Sequence, residues 1–167
     1  MTPEFYSDVS VDADPLEVIE TSLETAGWPH ERDEETAIQC VVPTRWGDMG
    51  GLFVWRDNPH AVHFSLTLDV KPHASKTVQL TELVLMINER LWLGHFDFWP
   101  DEGVILYRHT LPLAGRDEPS QGEVSAVMSA ASDAAEKFIP AFNFLIWAGK
   151  SPRESMEGAL FETHGEA

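Results

Sequence analysis

The chain has 167 residues, a single cysteine, and 11 Lys and Arg against 28 Asp and Glu, a formal net charge of −17. At this length one domain buries roughly 70% of its unfolded surface, so a core forms without disulfides, which Cys40 alone cannot supply. The charge excludes nucleic acid, whose phosphates demand cationic neutralisation, and disfavours anionic lipid, while no run nears the ~18 uninterrupted apolar residues of a membrane helix.

The start, MTPEFYSDVSVDADP, is acidic and lacks the basic residues and apolar stretch of a signal peptide, so a cytoplasmic protein is expected. Residues 1–13 are polar and mixed and read as a loose tail, with one domain over residues 14–167. In DPLEVIETSLETAGW, Asp14, Pro15 and Glu17 have capping-box order, and Leu16, Ile19, Leu23 and Ala26 recur at helical steps up to Gly27. From Glu35 the period changes to two. Ile38, Cys40 and Val42 alternate with Ala37, Gln39 and Val41, LFVWR follows Gly50-Gly51, and DNPH makes a turn. In AVHFSLTLDV the set Val62, Phe64, Leu66, Leu68 and Val70 takes one face and His63, Ser65, Thr67 and Asp69 the other. Short connections make these three strands an antiparallel meander. The glycines of GDMGG fit neither a phosphate loop nor a dinucleotide fingerprint and are read as a turn or bulge.

TVQLTELVLMINERLWLG restores the helical period through Leu80, Leu83, Val84, Ile87 and Leu91, closed by Gly94. Met86, Trp92 and Leu93 lie off that stripe, so a second packing partner is expected there, with a homodimer as the candidate. HFDFW and VILYRHTLPL, joined by PDEG, read as a hairpin. Ser120 and Glu123 have capping-box spacing ahead of a helix carrying Val124, Val127, Met128, Ala131, Ala135 and Phe138, and Pro140 is expected to kink or end it. Ser151, Pro152 and Glu154 start a short terminal helix. The expected class is α+β: about five antiparallel strands with helices packed on them, in the order α-βββ-α-ββ-α plus the terminal helix.

Catalytic chemistry finds no signature. Cys40 sits in a strand pattern as a small buried side chain, and no GxSxG elbow or HExxH pair occurs. Asp97, Asp101 and Glu102 near His95 and His109 match ordinary cross-strand neighbours, so no metal and no cofactor is expected. The informative feature is a strand apolar on both sides: Leu52 and Val54 alternate with Phe53 and Trp55, and Trp99 lies opposite Phe96 and Phe98. One set must turn away from the helices. Phe53, Trp55 and Trp99 are taken as anchors for a protein or peptide partner, which the negative field favours as basic. Trp55→Ala and Trp99→Ala are then expected to weaken capture with little loss of stability. The rival reading is a small-molecule sensor or enzyme with a pocket lined by Trp99, Tyr107 and His109.

The phrases LVLMINERLWLGHFDFWPDEGVILYRHTLPLAG and EKFIPAFNFLIWAGKSPRESMEGALFETHGEA resemble the YbjN family of bacterial proteins, labelled sensory transduction regulators. The resemblance implies a fold similar to type III secretion chaperones, a twisted sheet with packed helices, commonly paired as dimers that bind protein segments. It carries over no catalytic residue. A non-enzymatic, chaperone-like or regulatory binding module is the expected function, acting through a strand edge or a groove between sheet and helix.

Overall fold

The structure, a computed structural model of the chain, describes residues 13–164. Apart from Ala13, the expected tail therefore lies outside the described residues, as do the last three positions of the expected domain. The described elements run α1 (Glu17–Ala26), β1 (His30–Glu34), β2 (Ala37–Thr44), β3 (Gly47–Asp57), β4 (His60–Thr67), a single 3-10 turn (Ala74–Lys76), α2 (Thr77–Asn88), β5 (His95–Trp99), β6 (Val104–Pro112), α3 (Gln121–Ile146) and α4 (Pro152–His164). Every strand pair is antiparallel, and the spatial order is β1-β2-β3-β4-β6-β5. The class is α+β as expected, with six strands among the described residues. The added one is β1, whose sequence HERDE has no apolar alternation because an edge strand far from the core needs none.

Strand pairing fixes which side of the sheet is dry. Ile38, Cys40 and Val42 of β2, Phe53 and Trp55 of β3, Val62, Phe64 and Leu66 of β4, Ile105 and Tyr107 of β6 and Phe96 of β5 form one buried cluster. The same cluster holds Leu16, Ile19 and Leu23 of α1, Leu80, Leu83 and Ile87 of α2, Phe138 and Phe142 of α3 and Met156 of α4. All four helices thus lie on one face, where each large side chain fully removed from water contributes about 1.5–3 kcal/mol. Phe96 is ringed by Tyr107, Phe138 and Phe142 at centroid distances of 5.6, 6.2 and 5.3 Å.

The two predicted glycines of β3 form neither turn nor bulge. Gly50 pairs with Val41 and Thr67, and Gly51 with Cys40 and Leu66, in an unbroken register. The chain reverses earlier, at Arg45-Trp46, where Gly47 has φ +117°. Gly51 is demanded by packing: a Cβ there would sit 2.6 Å from Cys40 Sγ, 3.1 Å from Val42 Cγ2 and 3.2 Å from Phe64 Cε2. At Gly50 a Cβ would meet nothing within 4 Å.

Three helix ends differ from expectation, each for a local reason. The α1 capping box does not form; instead the Asp14 carboxylate accepts the Leu16 N–H and pairs with Arg32 at 2.7 Å, which holds its carboxyl below the usual range. Helix α2 stops at Asn88 and does not run on to Gly94. The Asn88 side chain leaves the helix to bridge the edge of β5, donating to Phe96 O at 2.9 Å and accepting Phe96 N–H at 2.8 Å. Gly94 follows in the loop with φ +67°, pressed against the Tyr107 hydroxyl, which donates to Leu93 O. No side chain fits there.

Pro140 neither kinks nor ends α3, which is helical from Gln121 to Ile146. A proline lacks the N–H that would bond the carbonyl four residues earlier. That carbonyl, Glu136 O, accepts the Trp46 indole N–H at 3.0 Å, and the Glu136 carboxylate takes Arg45 N–H and Nε–H at 2.7 Å each. The β2–β3 turn is thereby locked to the helix at its missing hydrogen bond. The capping boxes predicted at Ser120–Glu123 and Ser151–Glu154 are both present.

Candidate functional site

Positions of opposite parity make up the other face of the sheet, which none of the helices among the described residues covers. Cross-strand register lays its side chains out in rows. One row reads Ala37, Val54, His63, Thr110, and the next Gln39, Leu52, Ser65, Arg108, His95. The third reads Val41, Gly50, Thr67, Leu106, Asp97, and Val104 and Trp99 close the far end. Leu52 and Val54 are half-buried by their neighbours alone, and Leu106 is buried.

Gly50 opens this face. It lines two depressions, one of about 430 Å³ toward Glu31, Gln39 and Val41, the other of about 540 Å³ toward Thr67, Lys71 and Val104. Gly50 borders both, and along the same rows the small residues Ser65 and Thr67 of β4 lie between the outward residues of β3 and those of β6.

Charge is segregated along the strands. Toward the β3–β4 turn lie Arg56, His63, Arg108 and His95; toward the other end lie Asp48, Asp69 and Glu102 with Lys71. His63 donates to or accepts from Thr110 Oγ1 at 2.8 Å. Burial, then the fields of Arg108, His95 and Arg56, holds it below the ordinary histidine range. Asp97 Oδ2 accepts Arg108 Nη1–H at 3.0 Å and the Trp99 indole N–H at 3.2 Å, and the Arg108 guanidinium lies 5.6 Å from the Trp99 ring centroid. Trp99 is thus fixed in orientation while 40% exposed.

Several expected site residues are corrected by this arrangement. Phe53 is 0% and Trp55 8% exposed, both on the helix side, so neither is a surface anchor. The β3 residues that turn outward are Leu52 and Val54. The two-residue turn held the signal: with Asp57 opposite His60, counting back puts Phe53 opposite Phe64, on the face that β4 marks as buried. The pocket of Trp99, Tyr107 and His109 does not exist, because Tyr107 pairs with Phe96 on the helix side while Trp99 faces the opposite way. Tyr107 is fully buried, with its hydroxyl pushed up to about 12 by desolvation. His109 lies opposite Phe64 with a buried Nδ1 that has no partner. Burial pushes the Cys40 thiol up to about 12, so it is held as an unreactive thiol. Among the described residues no group of three or more His, Cys, Asp and Glu is gathered, and no helix is long and apolar enough to cross a membrane.

The expected binding routes fare differently. The outer edge of β5 is bridged by Asn88 at Phe96, and β1 presents the charged HERDE. A groove between α1 and α3 mixes Ser22, Ser125, Ser129, Ser132 and Asp133 with Ala26, Trp28 and Met128; it lies between two helices and is not the expected groove between sheet and helix. Met86 is half-buried against the core, whereas Trp92 is 99% and Leu93 52% exposed in the loop after α2, and Val78 and Leu85 are exposed on the helix itself.

An antiparallel sheet with its helices packed on one face belongs to the α+β proteins. The profile of the YbjN family, described as "Putative bacterial sensory transduction regulator", matches residues 15–144, and the chain belongs to that family. No curated protein matches the chain.

Proposed function

We propose that the protein is a non-enzymatic regulatory adaptor of the bacterial cytoplasm that recognises another protein through the helix-free face of its sheet. The observation that supports this reading is the sheet face that no described helix covers, which carries Leu52, Val54, Leu106 and Trp99 and is hollowed at Gly50 by two depressions. A sheet face holding aliphatic side chains is ordinarily covered by a second layer. A partner supplies that layer here, and the indole of Trp99, held by Asp97 and Arg108, is an anchor that loses little side-chain freedom on binding. The test is affinity capture from the native cell with quantitative mass spectrometry, comparing the wild type with Leu52→Asp and Trp99→Asp. Specific partners lost from both variants, with far-UV circular dichroism unchanged, support the reading; an identical captured set removes it.

A homodimer forms through the exposed apolar residues at and after the end of α2, Trp92 and Leu93, where an indole 99% in water is the supporting observation. Light scattering of the wild type and Trp92→Ser measures it: a mass near two chains falling to one is expected, and a wild-type monomer contradicts it.

A further inference from the structure

We infer that the larger hollow beside Gly50 receives a lysine or arginine side chain from a basic segment of a partner protein. This rests on the reading that the helix-free face binds protein, and it names the chemistry of the partner.

The hollow has a volume of about 540 Å³ and lies where the outward sides of β3 and β6 meet the chain leaving β4. Its exposed lining is mostly apolar, with Val104 half-buried beside it, and a Cβ at Gly50 would meet nothing within 4 Å. Carboxylates from separate stretches of chain border it: Asp48 of β3, Asp69 after β4 and Glu102 of the β5–β6 turn, all exposed. Apolar lining ringed by carboxylates suits one kind of side chain. A Lys or Arg lays its hydrocarbon stem on apolar surface while its charged head reaches the carboxylates.

These carboxylates are unmatched. Elsewhere Asp14 and Glu20 pair with Arg32, Glu136 with Arg45, Asp97 with Arg108 and Glu123 with Arg116. Among the described residues no ion pair holds Asp48, Asp69 or Glu102, and Lys71 is the one cation that lines the hollow with them. The rest of the face does not reverse this balance. Arg108 is taken by Asp97, Arg56 lies toward the opposite end of the strands, and β1 adds Glu31 and Asp33, the latter accepting from the Gln39 amide.

Charge complementarity therefore selects a cationic occupant, and two other occupants fail it. A second copy brings another −17, and the two chains repel. The chain's own residues 1–12, MTPEFYSDVSVD, carry Glu4, Asp8 and Asp12 and no Lys or Arg. The net field of the molecule draws a basic segment in from a distance, and the hollow fixes where its side chain sits.

The test is selection of displayed linear peptides, randomised among Lys, Arg, Glu, Ser, Leu and Tyr, on the whole wild-type chain. Counter-selection uses Gly50→Leu, with Thr67→Trp as a second variant that fills the hollow. Both keep the net charge, so peptides held only by the overall field are discarded. Two triple variants then separate hollow from field. The first joins Asp48→Asn, Asp69→Asn and Glu102→Gln at the hollow. The second joins Glu24→Gln, Glu157→Gln and Glu162→Gln at exposed positions of α1 and α4, with the same change of charge. Hollow-dependent peptides rich in Lys or Arg, weakened about tenfold by the first triple and less than about twofold by the second, support the inference. Equal losses from the two triples overturn it, since the field alone then attracts. Hollow-dependent peptides without basic residues overturn the basic partner and leave the face as a binding surface. Peptides indifferent to both filled variants and to Leu52→Asp overturn both readings.

Discussion

The two faces of the sheet are built from the same strands and solve opposite problems. On the helix side Phe53, Phe64, Tyr107 and Phe96 are fully enclosed and every gap is filled, to the point that Gly51 has no room for a methyl group. On the other side Leu52 and Val54 are only half-buried, and at Gly50 a Cβ would meet nothing within 4 Å. Adjacent glycines thus have opposite causes. One is required by close packing. The other meets no neighbour that would exclude a Cβ, and a strand-interior glycine of that kind often marks a place where another chain or ligand approaches closely. The proposed division puts stability on one face and recognition on the other.

Core truncation separates the faces most strongly. Phe53→Ala and Trp55→Ala are each expected to lose about 3–5 kcal/mol in urea unfolding, because each leaves a cavity in a filled core. Trp99→Ala should lose no more than about 1 kcal/mol, chiefly its contact with Arg108. Similar losses for Trp55 and Trp99 would erase the distinction. The glycine pair sharpens it further: Gly51→Leu overpacks against Cys40, Val42 and Phe64 and should cost about 1–3 kcal/mol or more. Gly50→Leu should be neutral or stabilising by up to ~1 kcal/mol, since it removes a flexible residue from a strand.

The Trp46 lock is a smaller effect that belongs to the helix side. Trp46→Phe removes the donor to Glu136 O and should cost about 1 kcal/mol. With Pro140→Ala in place, the new helical N–H can take that carbonyl, so the same change should cost less. A double-mutant cycle measures the difference; strict additivity would deny that the indole replaces the proline's missing bond.

Acidification gives a weaker separation. His63 and His109 have folded-state affinities for protons below those of the unfolded chain, both first through burial. The unfolded chain therefore binds protons more readily, and stability falls as pH drops from above the ordinary histidine value of ~6.5 through their lower folded values. Glu123, held down to about 2 by Arg116 and Ser120, adds a second loss as pH falls below the usual carboxylate range toward its folded value, and Asp14 and Glu154 act in the same direction. Thermal midpoints from pH 8 to 3 should decline in both windows, and His109→Phe should flatten the upper one. A midpoint flat between pH 8 and 5 would contradict the assignment.

Much of this was legible in the chain, and the misses have physical sources. Helix α3 and α4 starts follow from capping boxes, whose signal is local, and β4 follows from strict alternation between a dry and a wet face. Strand β1 left no trace because charged edge positions carry no period. Strand β3 was ambiguous because both of its faces are apolar: periodicity reports burial, and here one set is buried by the core while the other, Leu52 and Val54, is half-buried on the face without helices. Only the register across the turn at Asn58-Pro59 separates Phe53 from Leu52. The end of α2 depends on Asn88 reaching Phe96, a side-chain bridge that carries no periodicity, and the passage of α3 through Pro140 on Trp46 reaching Glu136, 90 residues away and beyond any local window.

The most direct test of the division between faces is Gly50→Leu, assayed for thermal midpoint and for partners captured from the native cell. The account predicts a midpoint equal to or above that of the wild type together with loss of the specific partners. Undiminished capture by a well-folded Gly50→Leu protein would contradict it.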